Sequence, residues 1–554
     1  MTHADILIVN ASVLTMAVEM PRAGALAISG NRIVAVGGEA DLTALRGPQT
    51  RVIDAGGGTV MPGFVEAHMH LFAGAAGRKL LQLFGVHDQD TMTRALRDYG
   101  AQNPDEGLLI AKGADYTILG DAGPLTRHHL DSAVPDRPLI LIAPDHHTAW
   151  ANTAALEQAG ILKGRDVGPG NEIVLGDDGL ATGELREGHA MAPVMALRTS
   201  GGRESLGLQG VEPVGLTPEQ RAEDIETLQA GLAYCAECGI TSIHNMDGNE
   251  YQLELLQEIE AGGDLLCRIE LPFHMTNAKT LADLETASAM AARCRGDMIS
   301  ANRVKLFIDG VLDSGTAVVL GGYGDDPAHN CAPLFTPEAF NAAVAEIDRR
   351  GLQIAVHAIG DGAVRMVLDA YEQAQQANGK RDSRHRIEHI EMVHPDDIPR
   401  FAALGVIASM QPPHPPGSMG LPLEPTLSKI GRERWRTAYA WRMLKDAGAR
   451  VAFASDWPVS ALPVIDGIAA AMTRQTWARD LPDQRLTLDE TLAAYSREGA
   501  YTGFMEAKTG QLVAGMLADV VVLSGDIKSV AHDQIHRLGV TTTICGGRVT
   551  YSAR

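Results

Sequence analysis

The chain has 554 residues and a formal net charge of −22 at pH 7, from 69 acidic and 47 basic side chains. It is long enough for a large barrel with additions, and its acidity argues against nucleic acid or anionic membrane as partner, since both need a basic footprint. The six cysteines are too sparse for a disulfide scaffold, and Cys235 and Cys238 sit in a helical pattern that reads as buried. Met-Thr-His-Ala-Asp lacks the basic flank and apolar core of a signal peptide, and no run of about eighteen apolar residues suggests a membrane span. A cytoplasmic location is the expectation.

In chain order, residues 1–60 carry short β runs at Asp5–Asn10, Ala25–Ile28, Arg32–Val36 and Arg51–Asp54, punctuated by Gly30-Asn31, Gly37-Gly38 and Gly56-Gly57. They cannot close a large core alone. The other end offers the complement in Ala518–Leu523, Val540–Cys545 and Arg548–Tyr551. The expectation is one β-sandwich domain composed of residues 1–60 and 505–554. Residues 61–504 then form the inserted larger domain.

That larger domain alternates strand and helix patterns, which predicts βα units and a parallel sheet. The candidate strands are Phe64–His68, Gly239–Asn245, Cys267–Phe273, Arg303–Asp309, Leu352–His357, His385–Ile390, Gly405–Gln411 and Arg450–Asp456. Helical stretches such as Pro218–Cys238 and Pro337–Arg350 separate many of them. Eight such strands predict an α/β fold with a (β/α)8 TIM-type barrel, whose functional residues gather at the C-terminal strand ends. Residues of about 85–215 break the rhythm, with a β run at Pro138–Ala143 and many Gly and Asp. They read as an insertion after the first barrel strand, forming pocket wall or lid.

The first strand ends in His68-Met69-His70. Side chains at i and i+2 of a strand share a face, so both imidazoles can be offered to one point. Alone this pair would be weak evidence. Lys305, His357, His389 and Asp456 lie in or at the ends of later candidate strands. Unrelated core histidines would not repeat that place, so the set points to a metal site. A protonated Lys305 cannot ligate a cation and is costly to bury. A neutral one could take up carbon dioxide and become a carbamate able to bridge two metals.

The segments Pro62–His70, Val304–Gly310, His357–Asp361, Arg386–His389 and Ala454–Pro458 resemble the metal-dependent amidohydrolase superfamily. The branch they resemble is that of the long amidohydrolases (amidohydrolase family 3), which includes N-substituted formamide deformylases. Asp145–Asn152, Gly239–Ser242 and Gly515–Val521 extend the resemblance over almost the whole chain. It implies His68, His70, His357 and His389 as ligands, Lys305 as a carbamylated bridge, and Asp456 as both ligand and proton shuttle. Glu270 is the fallback bridging carboxylate if Lys305 is unmodified. Two departures stand out: Glu66-Ala67, where the family usually has Asp-Ser, and His146, where Gly is usual.

The His-rich set favours zinc, as one or two ions, which lower the pKa of bound water to about 7. Three functions compete: hydrolysis of a non-peptide C–N bond in a linear N-acyl or N-formyl compound, ring opening or deamination of a heterocycle, and a non-catalytic scaffold. Retention of all the ligand candidates disfavours the third. His147, Trp150 and His414 are candidate substrate contacts, with structural roles as the plainer alternative. Met410–Gly417, rich in proline, should form a stiff loop over the barrel mouth and suggests a partly apolar substrate. The expected partner is a small-molecule substrate, with a homodimer left open.

Overall fold

The computed structural model describes residues 3–78, 80–104, 106–120, 123–144, 147–198 and 202–553. Asp145 and His146, and with them the His146 departure, lie outside the described residues.

Eight barrel strands run in chain order as β1 (Phe64–Met69), β2 (Ile240–Asn245), β3 (Arg268–Glu270), β4 (Arg303–Phe307), β5 (Gln353–Ala358), β6 (Arg386–His389), β7 (Ile407–Met410) and β8 (Arg450–Phe453). β1 pairs with β2 and β2 with β3, and β4 to β8 pair successively, all in parallel. Nearly every strand residue is buried, as expected when helices cover a parallel sheet. The last strand returns to the first: Asp456 N donates to His68 O at 2.9 Å, and His70 N donates to Trp457 O at 2.7 Å.

The predicted run Cys267–Phe273 divides into β3 and a two-residue strand, Phe273–His274, which pairs with β4 instead. Pro272 stands between them and has no N–H to give to a ladder. Helices Pro218–Glu237 and Pro337–Arg349 start where a threonine caps a proline-led first turn. Thr217 accepts from Gln220 N, and Thr336 from Ala339 N.

The two chain ends share a six-stranded sheet in the order Arg548–Ser552, Val540–Cys545, Val520–Leu523, Thr59–Pro62, Ser12–Leu14, Arg22–Ala23. A four-stranded sheet holds Arg32–Gly37, Ala25–Ser29, Ile6–Val9 and Arg51–Asp54. Ile8, Leu26 and Ile28 of the smaller sheet share one apolar cluster with Val60, Val520 and Ile544 of the larger. Gly63 links Thr59–Pro62 to β1. A Cβ there would lie 2.2 Å from the Thr241 side chain, so only glycine allows this close crossing.

Between β1 and β2 lies a separate six-stranded sheet, in the order Glu172–Leu175, Ala181–Arg186, Thr148–Ala151, Leu139–Ile142, Leu109–Lys112, Leu81–Gln82. It has its own apolar clusters on either face. Among the described residues, no helix is long and apolar enough to cross a membrane.

Candidate metal centre

The ends of β1, β5, β6 and β8 bring four imidazoles and a carboxylate together. The ring centroids of His68 and His389 lie 4.7 Å apart, those of His357 and His389 4.6 Å, and those of His68 and His70 5.6 Å. Asp456 follows β8 at φ +60, and His389 closes β6 at φ +75. Non-glycine residues rarely adopt this left-handed backbone, and such strain collects at functional sites.

The histidines of β1 are held from behind. His68 Nδ1 donates to Glu388 Oε2 at 2.6 Å, and His70 Nδ1 donates to Asp247 Oδ1 at 2.9 Å. Their Nε2 atoms therefore face forward, 3.3 and 3.4 Å from Asp456 Oδ1. A carboxylate on the far nitrogen fixes the tautomer and raises the basicity of the ligand nitrogen. Burial alone would lower His70, but Asp247 and Asp456 outweigh it and raise the imidazole to about 9. Two carboxylates around one imidazole call for positive charge, and a metal ion at Nε2 answers the same demand as a proton.

Asp456 is buried, yet its carboxyl is held well below the usual range. Burial opposes this shift, and His68, His70 and His389 overcome it. Among the described residues, three donors converge twice on this carboxylate: His68, His70 and Asp456, and His389, His414 and Asp456. Within each set the candidate ligand atoms lie within 4.8 Å of one another. The His414 ring is parallel to His389 at 6.0 Å, and its Nε2 is 3.9 Å from Asp456 Oδ2. The structure thus sets His414, expected as a substrate contact, among the candidate ligands.

His357 belongs to neither set of three. Its Nε2 donates to Gly310 O at 3.2 Å, and its ring stacks on Phe307 at 4.7 Å. Lys305 is fully buried in β4 with Nζ 4.6 Å from the Phe307 ring centroid. Burial draws the amine down to about 8, against the pull of Glu388 and Asp456. Among the described residues, Asp456 Oδ1, Lys305 Nζ and His414 Nε2 are buried polar atoms without a hydrogen-bond partner. Orphaned atoms of this kind are costly unless a bound group satisfies them, so the donor set fits a divalent cation. Glu270, the fallback bridging carboxylate, is buried and its Oε2 accepts from Arg303.

Beneath the histidines lies a charged layer. Arg386 grips Glu388 with two nitrogens and also donates to Ala67 O at 2.7 Å and Ser409 Oγ at 2.6 Å. Glu388 and Asp247 have supporting roles that sequence reading missed. The signal was present in Arg386-x-Glu388, which shares one strand face, and in the acid just past β2. Glu66, the departure from the family's pattern, accepts from Ser455 N at 2.6 Å. Burial pushes its carboxyl up to about 8. It therefore braces the segment that carries Asp456.

Two cavities meet at the centre and share His147, His357, His389 and Asp456 in their walls. The larger, of about 290 Å³, takes Met191, Met195, Leu208 and Phe335 as apolar lining. The smaller, of about 110 Å³, includes His414, Pro416 and Tyr439. His147 Nδ1 donates to Glu187 Oε2 at 2.7 Å, and Glu187 also accepts from Thr316 at 2.7 Å. Trp150 lines neither cavity. It is buried in an apolar cluster of the six-stranded sheet with its ring 5.4 Å from Tyr116.

Residues 51–551 match the Amidohydrolase family. The chain is similar to N-substituted formamide deformylase of Arthrobacter pascens, at 24% identity over 99% of this chain and 98% of that one. It is similar to the Arabidopsis thaliana protein LONG AFTER FAR-RED 3, at 29% identity over 99% of this chain and 92% of that one. Among solved structures, an uncharacterized metal-dependent hydrolase from Pyrococcus horikoshii OT3 matches with a TM-score of 0.73 and 22% identity. That match covers 95% of this chain and 99% of that one. The chain belongs to the amidohydrolase family and is a hydrolase acting on carbon–nitrogen bonds.

Proposed function

We propose that this member of the amidohydrolase family hydrolyses the amide bond of a small, partly apolar N-acyl or N-formyl compound. The observation that carries the reading is Asp456: a buried carboxylate, ionised, facing the Nε2 atoms of two braced histidines where two cavities meet. The similarity to a formamide deformylase over nearly the full length of both chains supports a linear amide.

His68, His70, His357, His389 and Asp456 would hold the metal, which we take to be zinc as one or two ions, with carbamylated Lys305 as the bridge. Bound there, such an ion lowers the pKa of water toward neutrality and polarises a carbonyl. Asp456 accepts the proton of the attacking water and returns it to the leaving nitrogen, which departs poorly unless protonated. Glu388 and Asp247 keep His68 and His70 in the tautomer that presents Nε2. His147, fixed by Glu187, meets the acyl end of the substrate. His414 either joins His389 and Asp456 as a ligand or contacts the substrate from the second cavity. The apolar wall of the larger cavity excludes water around the organic body of the substrate.

In the same reading, residues 1–60 and 505–554 form one composite β-sandwich domain. Residues 61–504 form the barrel, whose insertion at about 85–215 walls the larger cavity. The protein works in the cytoplasm. A screen of zinc-loaded protein against N-formyl, N-acyl and cyclic amides tests the reading. Free amine plus acid from a linear amide is the expected product. Ammonia from a heterocycle, with linear amides untouched, would replace it with a deaminase.

A further inference from the structure

The larger cavity runs from the metal centre toward the C-terminal end of helix Leu71–Gly77, which starts directly after His70. Its wall holds four carboxylates, and all have partners or roles. Asp456 belongs to the centre, Glu187 holds His147, Asp309 accepts from the backbone N–H groups of Ile359, Gly360 and Val318, and Glu204 takes Arg198. Lys112 has no such partner. Its side chain lines the cavity, the residue is only 7% exposed, and no side-chain hydrogen bond or ion pair engages its amine among the described residues. The charge that acts on it most is another cation, Arg198, and burial brings the amine down to about 7.

A buried cation facing a cavity without a counter-ion is costly unless a ligand supplies the charge. Lys112 Nζ lies 2.6 Å from where a Cβ on Gly77 would stand, which places the amine against the last turn of this helix.

We propose that Lys112 binds a carboxylate carried by the substrate at the end remote from the scissile amide. This deepens the amide-hydrolase reading and rests on it for the position of the amide. The helix between His70 and Gly77 rises about 1.5 Å per residue, which sets the amine about 10 Å from the centre. The substrate is then an N-acyl or N-formyl amine with an apolar spacer and a terminal carboxylate. Arg198, already paired with Glu204, adds field rather than a direct contact.

The probes are 7-formamidoheptanoic acid, which spans about 10 Å from formyl carbon to carboxylate when extended, and its neutral methyl ester. Calorimetric titration of the full chain should show the acid binding about tenfold to a hundredfold more tightly than the ester, the range of a hydrogen bond to a charged group. Lys112→Met should bring the acid to the level of the ester and leave the ester unchanged, while Lys112→Arg should keep most of the preference. Equal binding of acid and ester to the wild-type protein would overturn the proposal, and needs no variant to fold. Preference for the acid surviving in Lys112→Met would overturn it as well. Hydrolysis of both probes with equal kcat/KM removes the carboxylate site and leaves the amide reading standing. Tight binding of the acid, abolished in Lys112→Met, with neither probe hydrolysed by zinc-loaded protein, removes the amide reading and leaves the site.

Discussion

His68 Nδ1 donates to Glu388 Oε2 across 2.6 Å, tying the end of the first barrel strand to the sixth. The same carboxylate is the counter-ion of the fully buried Arg386. One side chain therefore orients a candidate ligand and neutralises a charge that has no access to water.

Glu388→Gln should weaken both functions. An outer carboxylate behind a ligand histidine is worth about 10–100-fold in metal affinity. Leaving one member of a buried ion pair alone costs about 3–5 kcal/mol. Zinc retained against graded chelator, together with thermal unfolding, measures the two effects. Wild-type retention of zinc would show that His68 does not depend on this brace.

Asp456→Asn should lower kcat on a linear amide by at least about 100-fold, the lower bound for a positioned proton-transfer group. The fold, followed by circular dichroism, should persist, because the Asp456 N to His68 O hydrogen bond is made by backbone. Undiminished turnover would remove Asp456 from the mechanism.

Asp519→Asn should loosen the sheet that the two chain ends share without touching the centre. Asp519 receives Arg268 Nε at 2.7 Å and Nη2 at 2.9 Å, and also accepts from Thr509 Oγ1 at 2.8 Å and Gly546 N at 2.7 Å. The pair is buried and joins β3 to the C-terminal strands. The expected loss is about 3–5 kcal/mol in unfolding free energy, with zinc content per folded molecule unchanged. A melting curve superimposable on wild type would count against the pair as a link.

Asp348 supplies a pH-dependent stability. Burial opposes its charge, but His385, Asn378 and Arg381 outweigh it and hold the carboxyl at about 2, below the ordinary 3.8. A carboxylate depressed on folding stabilises above its unfolded pKa and loses that contribution as pH falls toward the folded value. Asp348→Asn should therefore be about 2 kcal/mol less stable than wild type at pH 6. The gap should shrink to about half by pH 3. Denaturant unfolding at both pH values measures it, and a gap that does not change with pH would refute the assignment.

Local patterns were legible in the chain because they depend on neighbours a few residues away. His68 and His70 share a strand face by the two-residue period, and they do converge on Asp456. Helices beginning Thr217-Pro218 and Thr336-Pro337 announce themselves by cap chemistry. Apolar runs at both ends pair in one sheet, with Val520–Leu523 beside Thr59–Pro62. Pro272 was visible too, and its effect in splitting the third strand follows from its missing N–H.

What required the tertiary structure was every relation between distant strands. Trp150 and His414 could be read from the chain as substrate contacts or as structural residues; Trp150 is buried in an apolar cluster, while His414 lies beside Asp456. Glu388 and Asp247 stand at readable places on or just past their own strands, but only the tertiary structure joins them to His68 and His70, 320 and 177 residues away. Lys112, on a strand of the insertion, meets the barrel's first helix only after the two units pack. The amino-acid sequence by itself determined which side chains stand at strand ends, because backbone periodicity and capping are short-range. Strand register, barrel closure and the seating of the insertion decided which of them face one another, because those distances are set by packing between segments hundreds of residues apart.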